Sequence, residues 1–220
     1  MSVTHAPAVP AAPAIPAQNH VPAPAPVPVA APAPGSHIAD PAPLGLAAFA
    51  LTTFVLSFVN TGIFKAEPVV FGLALAYGGI AQIGAGMWEF AKGNTFGATA
   101  FTSYGAFWLS FWYLTTQTDL SGVAAGDVSN GIGLFLLAWG IFTLYMTVAA
   151  SRVSTAVFTV FVLLTITFGL LAWGEFATSE TIHHLGGWMG LVTAAGAWYA
   201  SLGGLTAFTH GSSIVPTGPR

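Results

Sequence analysis

From about residue 44 to residue 208 the chain is a series of long apolar runs separated by short polar breaks. The runs cover about Leu44 to Val59 (extending to near Phe64 at full length), Val69 to Phe90, Thr95 to Thr116, Gly131 to Ala150, Ser154 to Gly174 and Leu185 to Phe208. Each is close to the roughly 20 residues that cross a bilayer as a helix. Because the runs are continuous rather than alternating, they predict helices and not barrel strands. The breaks carry the turn and cap chemistry: Lys65-Ala66-Glu67-Pro68, Ala91-Lys92-Gly93, a polar loop from Gln117 to Asn130 with Asp119 and Asp127, Arg152, and a loop containing Glu175, Glu180, His183 and His184. Asn94 is the expected N-cap of the third run. The pattern predicts an all-α membrane protein with six transmembrane helices. A disordered Pro/Ala-rich tail (1–39) precedes the six-helix domain (40–210), and a short tail (211–220) follows it.

The boundary between tail and bundle falls at Asp40-Pro41-Ala42-Pro43-Leu44-Gly45-Leu46. Proline is tolerated in a first helical turn, where its missing N–H has no intrahelical partner and its φ is already helical. Asp40 is the expected N-cap of the first helix. The free amides and dipole of that turn predict an anion-attracting site built without Lys or Arg. Pro41 and Pro43 would fix its geometry, and Gly45 would allow close approach to the backbone.

Composition sharpens the class. The chain is 55% hydrophobic and 5% charged, against roughly 25% charged in a soluble domain. Four Lys+Arg in total and a net charge of -3 exclude a nucleic-acid surface, which needs clustered basic residues. With no cysteine there is neither a disulfide framework nor a thiolate metal site. The tail holds no charged residue and no basic-plus-apolar signal pattern. His5, His20 and His37 are scattered through it without preset metal geometry. With both termini cytoplasmic, Lys92, Arg152 and Arg220 lie inside and only Lys65 outside, which the positive-inside rule favours.

Within the runs, small residues recur at helical spacing: Ala74, Gly78 and Gly86, then Gly186, Gly190 and Ala194. They predict close helix packing and an oligomer. Polar positions are rarer: Thr52, Thr53, Ser57, Gln82, Thr99, Thr102, Ser103 and Tyr104. Each must find a partner or line a wet cavity. Thr95, Thr99 and Ser103 share one face of the third helix, although serine and threonine also bond back to their own helix. Gln82 carries a primary amide near mid-membrane that needs several partners. No Lys, Arg or His lies near the middle of a run, and Glu89 and Glu175 fall near helix ends, where they can reach water. A buried carboxylate relay is therefore not expected. No nucleophile motif, HExxH or phosphate loop occurs, which excludes most enzyme classes. The adjacent His183 and His184 are expected in an exposed loop rather than at a metal.

The motif Asp40-Pro41-Ala42-Pro43-Leu44-Gly45-Leu46 with Phe49 and Thr52-Thr53, then Tyr77-Gly78-Gly79-Ile80-Ala81-Gln82, Ala85-Gly86, Glu89, Gly93-Asn94-Thr95-Phe96-Gly97, Thr99 to Gly105, and Phe107-Trp108, resembles the acetate uptake transporter family. That family includes bacterial succinate–acetate/proton symporters and fungal acetate permeases. The resemblance covers about residues 40 to 208. It implies a six-helix protomer assembled as a homohexamer in the cell membrane, a pathway for acetate and similar small monocarboxylates, and protons as the coupled partner. It needs no cofactor. It also implies a hydrophobic constriction at Phe49, Tyr104 and Leu164. Leu44, Gly45, Thr52, Gln82, Thr99 and Ser103 are the substrate-binding candidates, and Asp40, Pro41, Pro43 and Asn94 carry the motif. The family motif usually begins with Asn where this chain has Asp40, whose charge would oppose an incoming anion.

A carboxylate resembling Glu, with a pKa of roughly 4.3, costs about 3.7 kcal/mol to neutralise at pH 7. Carrying a charge through the bilayer centre costs about 3 kcal/mol on insertion scales. Proton symport and channel-like anion passage are thus both open on energetic grounds. Export of ammonium or another solute in the same fold and a purely structural membrane role are the alternatives.

Overall fold

The structure is a computed structural model that describes Ser2 and residues 37–218. The expectation of a disordered tail falls almost wholly outside the described residues, as do His5 and His20. His37 lies in an exposed turn.

Six helical rods make up the described chain: α1 Ala42–Asn60, α2 Pro68–Lys92, α3 Thr95–Thr116, α4 Ala125–Ala150, α5 Thr155–Phe176 and α6 Glu180–Thr209. All except α3 are both long enough and apolar enough to cross a membrane. At 22 residues α3 is about 33 Å long, but its threonines, serines and glycines dilute its hydropathy. The expected count of six spans thus stands at five by length and composition, with a sixth helix of spanning length beside them.

The helix ends follow cap chemistry. Asn94 Oδ1 accepts from the Gly97 amide at 3.1 Å, and Ser154 Oγ from Val157 at 3.1 Å, fixing the starts of α3 and α5. Gly93, at φ 83, closes α2 in the left-handed conformation. Three boundaries differ from expectation. α4 begins at Ala125 rather than Gly131, because Asp127 suits a first turn, where the helix dipole favours negative charge. α6 begins at Glu180, because Ser179 caps it through Ile182 and Glu180 again places an acid in the first turn. Glu175 belongs to α5 and His183 and His184 to α6, so none of the three lies in a loop.

Close packing runs α4 on α5, α5 on α6 and α6 on α1, with α2 packed on α3. Glycines make the approaches possible. A Cβ on Gly187 would stand 2.5 Å from the Thr61 amide, one on Gly190 2.2 Å from Ser57 Oγ, and one on Gly86 2.3 Å from Thr102 Oγ1. The small-residue stripes therefore seat α6 on α1 and α2 on α3. Hydroxyl pairs tie the helices further: Thr147 to Thr165 (3.0 Å) and Thr167 to Thr193 (3.2 Å), while Ser201 donates to the Pro43 carbonyl (2.7 Å). Between α3 and α4 the backbones stay apart and rings fill the gap, with Tyr104–Phe142 at 5.4 Å, Phe107–Trp139 at 5.3 Å and Phe107–Phe135 at 5.7 Å.

Candidate functional site

On α1, α3 and α5, residues spaced one or two turns apart face the bundle axis: Phe49, then Tyr104 and Phe107, then Phe161, Leu164 and Phe168, all buried. This is the spacing that puts side chains on one helix face. Phe49, Tyr104 and Leu164 meet around one cavity of about 20 Å³, whose wall also includes Leu46, Ala100, Phe101, Val160 and Phe161. That space holds no more than about one water. The Phe49 and Tyr104 rings lie 5.8 Å apart, and Tyr104 and Phe161 6.0 Å apart. The three residues expected at a constriction are thus neighbours across a nearly closed point.

Tyr104 is fixed in place by its hydroxyl. Thr143 Oγ1 donates to the Trp139 carbonyl at 2.7 Å, which leaves it to accept from Tyr104 Oη at 2.9 Å. The ring is thereby anchored to α4 while it stays beside Phe49, tilted by 53° to that ring.

Gln82 also lines this cavity. It is fully buried, and neither its Nε2 nor its Oε1 has a hydrogen-bond partner among the described residues. An unpaired buried amide costs about 1–3 kcal/mol, and this one lies directly behind the apolar surface of the cavity, within a side-chain movement of a polar guest. The helix delivers it through an irregularity. Ala76–Ala81 is a π-helical segment inside α2, with Gln82 directly after it. A π turn inserts an extra residue and rotates the helix beyond it, and such segments gather at functional sites.

The other candidates are placed differently. Thr52 is buried and bonds back to the Ala48 carbonyl at 2.9 Å, packed against Gly78. Leu44 is exposed. Thr99 and Ser103 are half-buried on a face of α3 that runs through exposed Thr95, Ala106 and Ser110. They point away from the constriction cavity. Gly45 is buried, and a Cβ there would stand 2.6 Å from the Phe101 ring, so its smallness serves packing behind the cavity wall. Glu89, expected to reach water from its helix end, is instead fully buried with the Asn94 side chain beside Gly97, and it lines neither the constriction nor the mouth.

α1 is counted from Ala42 with Pro41 before it, but Pro41 is already helical at φ -78 and ψ -16, so Asp40 takes the capping position expected of it. Asp40 Oδ1 accepts from the Ala42 amide at 3.1 Å, the bond of a capping side chain, and also pairs with Lys92 Nζ at 2.7 Å. The first-turn amide that a substrate was expected to find is therefore occupied, and the charge of Asp40 is matched.

Above Phe107 and Phe168, at the end of the bundle away from residue 40, the structure opens into a cavity of about 580 Å³. Its walls combine Leu56, Phe111, Phe135 and Leu171 with Asn60, Glu67, Thr115, Glu175, His183 and His184. His183 Nδ1 lies 3.3 Å from Glu175 Oε1. The histidines line this mouth from the second turn of α6, a correction to the exposed loop expected for them. Sequence reasoning missed this mouth because its polar residues sit at the ends of different runs. The α5 residues were within reach of it, since Phe161, Leu164, Phe168, Leu171 and Glu175 recur at helical spacing.

Residues 23–219 match the GPR1/FUN34/yaaH family. The chain is 40% identical over 181 residues to the "Succinate-acetate/proton symporter SatP" of Escherichia coli (strain K12), covering 82% of this chain and 96% of that protein. It is 42% identical over 194 residues to "Acetate permease A" of Emericella nidulans, covering 81% and 65%. It is also 42% identical over 183 residues to "Ammonia transport outward protein 2" of Saccharomyces cerevisiae, covering 78% and 63%. A solved structure described as "Structure of the bacterial acetate channel SatP" superposes with a TM-score of 0.76 at 39% identity, covering 82% of this chain and 99% of that one. The five long apolar helices among the described residues make this a membrane protein, and the relatives above are named as a symporter, a permease, a transport protein and a channel. The chain belongs to the GPR1/FUN34/yaaH family.

Proposed function

We propose that this protein carries acetate and similar small monocarboxylates across the cell membrane, through a pathway within each protomer that narrows at Phe49, Tyr104 and Leu164. One observation carries the reading. Side chains from α1, α3 and α5 close on an apolar-walled cavity of about 20 Å³, with the unpartnered amide of Gln82 buried beside it. An apolar ring excludes hydrated ions and larger solutes. The amide offers donors to a carboxylate and an acceptor to a protonated acid, so it lowers the desolvation cost of either form at the narrowest point.

In this reading all six helices span the membrane, with both termini inside. The resemblance and the outward polar face of α3 at Thr95, Thr99 and Ser103 support a homohexamer, in which neighbouring protomers cover hydroxyls that would otherwise face lipid. Symport with protons, a wider range reaching succinate, and channel passage are the finer alternatives. A second reading, ammonium or ammonia export, rests on the name of the yeast relative.

Uptake of labelled acetate into proteoliposomes tests the proposal. Protein-dependent uptake should fall about tenfold in Gln82→Leu, which removes the polar guest site at similar volume. Uptake that follows an imposed pH gradient selects symport, and uptake indifferent to it selects a channel. Labelled methylammonium flux without acetate flux would replace the carboxylate reading with the second one.

A further inference from the structure

The pathway reading uses the rings and Gln82 but leaves the charged groups of the wide mouth without a role. The 580 Å³ cavity shares Glu175, His183 and His184 with an adjoining one of about 470 Å³, so the two are lobes of a single antechamber. Three carboxylates line it: Glu67 from the α1–α2 connection, Glu175 from α5 and Glu180 from α6. Lys65 is the lysine that lines it, and its neutral polar lining is Asn60, Thr115, Thr118, Ser129, Thr178 and Ser179. Within the α3–α4 loop, Asp119 is held below the usual carboxylate range by a hydrogen bond from the Ser121 amide, so it stays charged, and Asp127 is exposed in the first turn of α4.

With both histidines neutral, the lining has two negative charges in excess, a poor entrance for an anion. With both protonated, the charges balance. Histidine is the side chain that makes this change between about pH 5 and 8. The geometry adds two facts. His183 lies 3.3 Å from Glu175, so its proton is added beside a carboxylate. A Cβ on Gly62 would stand 2.5 Å from His184 Nε2, so the second ring is packed against the α1–α2 turn, inside the mouth rather than over solvent.

We infer that the antechamber is a pH-set collector of carboxylate anions, repelling them when His183 and His184 are neutral and admitting them when both are protonated. This inference rests on the proposed carboxylate pathway and adds regulation of its entrance. It gives transport a rise on acidification that needs no proton to travel with the substrate. Charges facing a low-dielectric cleft change local ion concentration by factors of ten or more. For two charges in a mouth this wide and wet, screening reduces the effect to about fivefold.

The test is tracer exchange of labelled acetate in proteoliposomes with equal acetate and equal pH on both sides, at pH 7.5 and 5.5, with protein-free vesicles subtracted. Without a gradient, proton coupling does no net work, and mixed orientation of the protein does not matter. The wild-type exchange rate should rise about fivefold between the two values. The variant H183Q/H184Q should be flat within twofold, and Glu175→Gln should exchange faster than wild type at pH 7.5 while keeping a rise. A second measurement, melting temperature in detergent, identifies misfolded variants, and His184→Lys then serves as the folded alternative, expected to exchange faster than wild type at pH 7.5. A rise in H183Q/H184Q equal to that of wild type overturns the inference, and would place the pH dependence in the neutral acid itself. Absence of protein-dependent exchange in the wild type would instead remove the carboxylate pathway on which the inference stands.

Discussion

Around Phe49, Tyr104 and Leu164 the wall is ring and aliphatic side chain, fully buried, enclosing about 20 Å³, whereas the mouth encloses about 580 Å³ between acids, histidines and threonines at helix ends. The two regions discriminate by different physics. A dry, narrow ring responds to the size and desolvation of a solute, and salt or pH reaches it weakly. A wide, wet mouth cannot sense size but responds to net charge, and therefore to pH and ionic strength. Substitutions at the narrow point should therefore alter which acids pass, and substitutions at the mouth should alter how much anion arrives.

The largest effect is expected from widening the ring. Leu164→Ala should raise the ratio of butyrate to acetate uptake on the order of tenfold, since one or two methylenes in a fitted pocket decide about that much. Its stability loss of roughly 2–5 kcal/mol calls for a check of folded protein by melting curve. An unchanged ratio would remove Leu164 from the filter. Next in size is Gly45→Ala. Its new methyl would sit 2.6 Å from the Phe101 ring and push that ring into the cavity, so acetate uptake should fall about fivefold at equal protein. Tyr104→Phe should do less: the ring and its size filter remain, while losing the hydrogen bond to Thr143 costs about 1 kcal/mol, seen as a drop of a few degrees in melting temperature.

The smallest effect belongs to the position that looked most exposed to chemistry in the sequence. Asp40 and Lys92 are partly solvent-exposed, and such a pair contributes about 0–1 kcal/mol. Asp40→Asn retains an oxygen for the Ala42 amide, so acetate uptake should stay within twofold at all salt concentrations. A larger gain at neutral pH would restore the view that this charge opposes the substrate.

These differences track what was legible in the chain. Local chemistry was readable: Asn94 as a cap and Thr95 to Thr116 as a helix depend on neighbours within one turn. The constriction was readable only through the motifs of the resemblance, because Phe49, Tyr104 and Leu164 are widely separated in sequence and only packing makes them neighbours. Thr99 and Ser103 show the limit of a periodicity argument. It places two hydroxyls on one face of α3 without saying whether that face turns toward the pathway or away from it. Asp40 shows another, since its partner Lys92 closes the span of a whole helical hairpin. The π-helical segment before Gln82 left no periodicity signal, because its inserted residue shifts the register by one within an almost uniformly apolar run.

Everything proposed here turns on substrate passing between Phe49, Tyr104 and Leu164, and the absence of cysteine from the chain allows that passage to be probed chemically. In Leu164→Cys, the only thiol stands at the narrow point. Labelled acetate uptake is followed in proteoliposomes before and after treatment with a small methanethiosulfonate reagent, with and without excess acetate during treatment. Passage at this point predicts that modification abolishes most of the uptake and that acetate slows the modification. Full modification that leaves uptake intact, or proceeds at the same rate with acetate present, would contradict it.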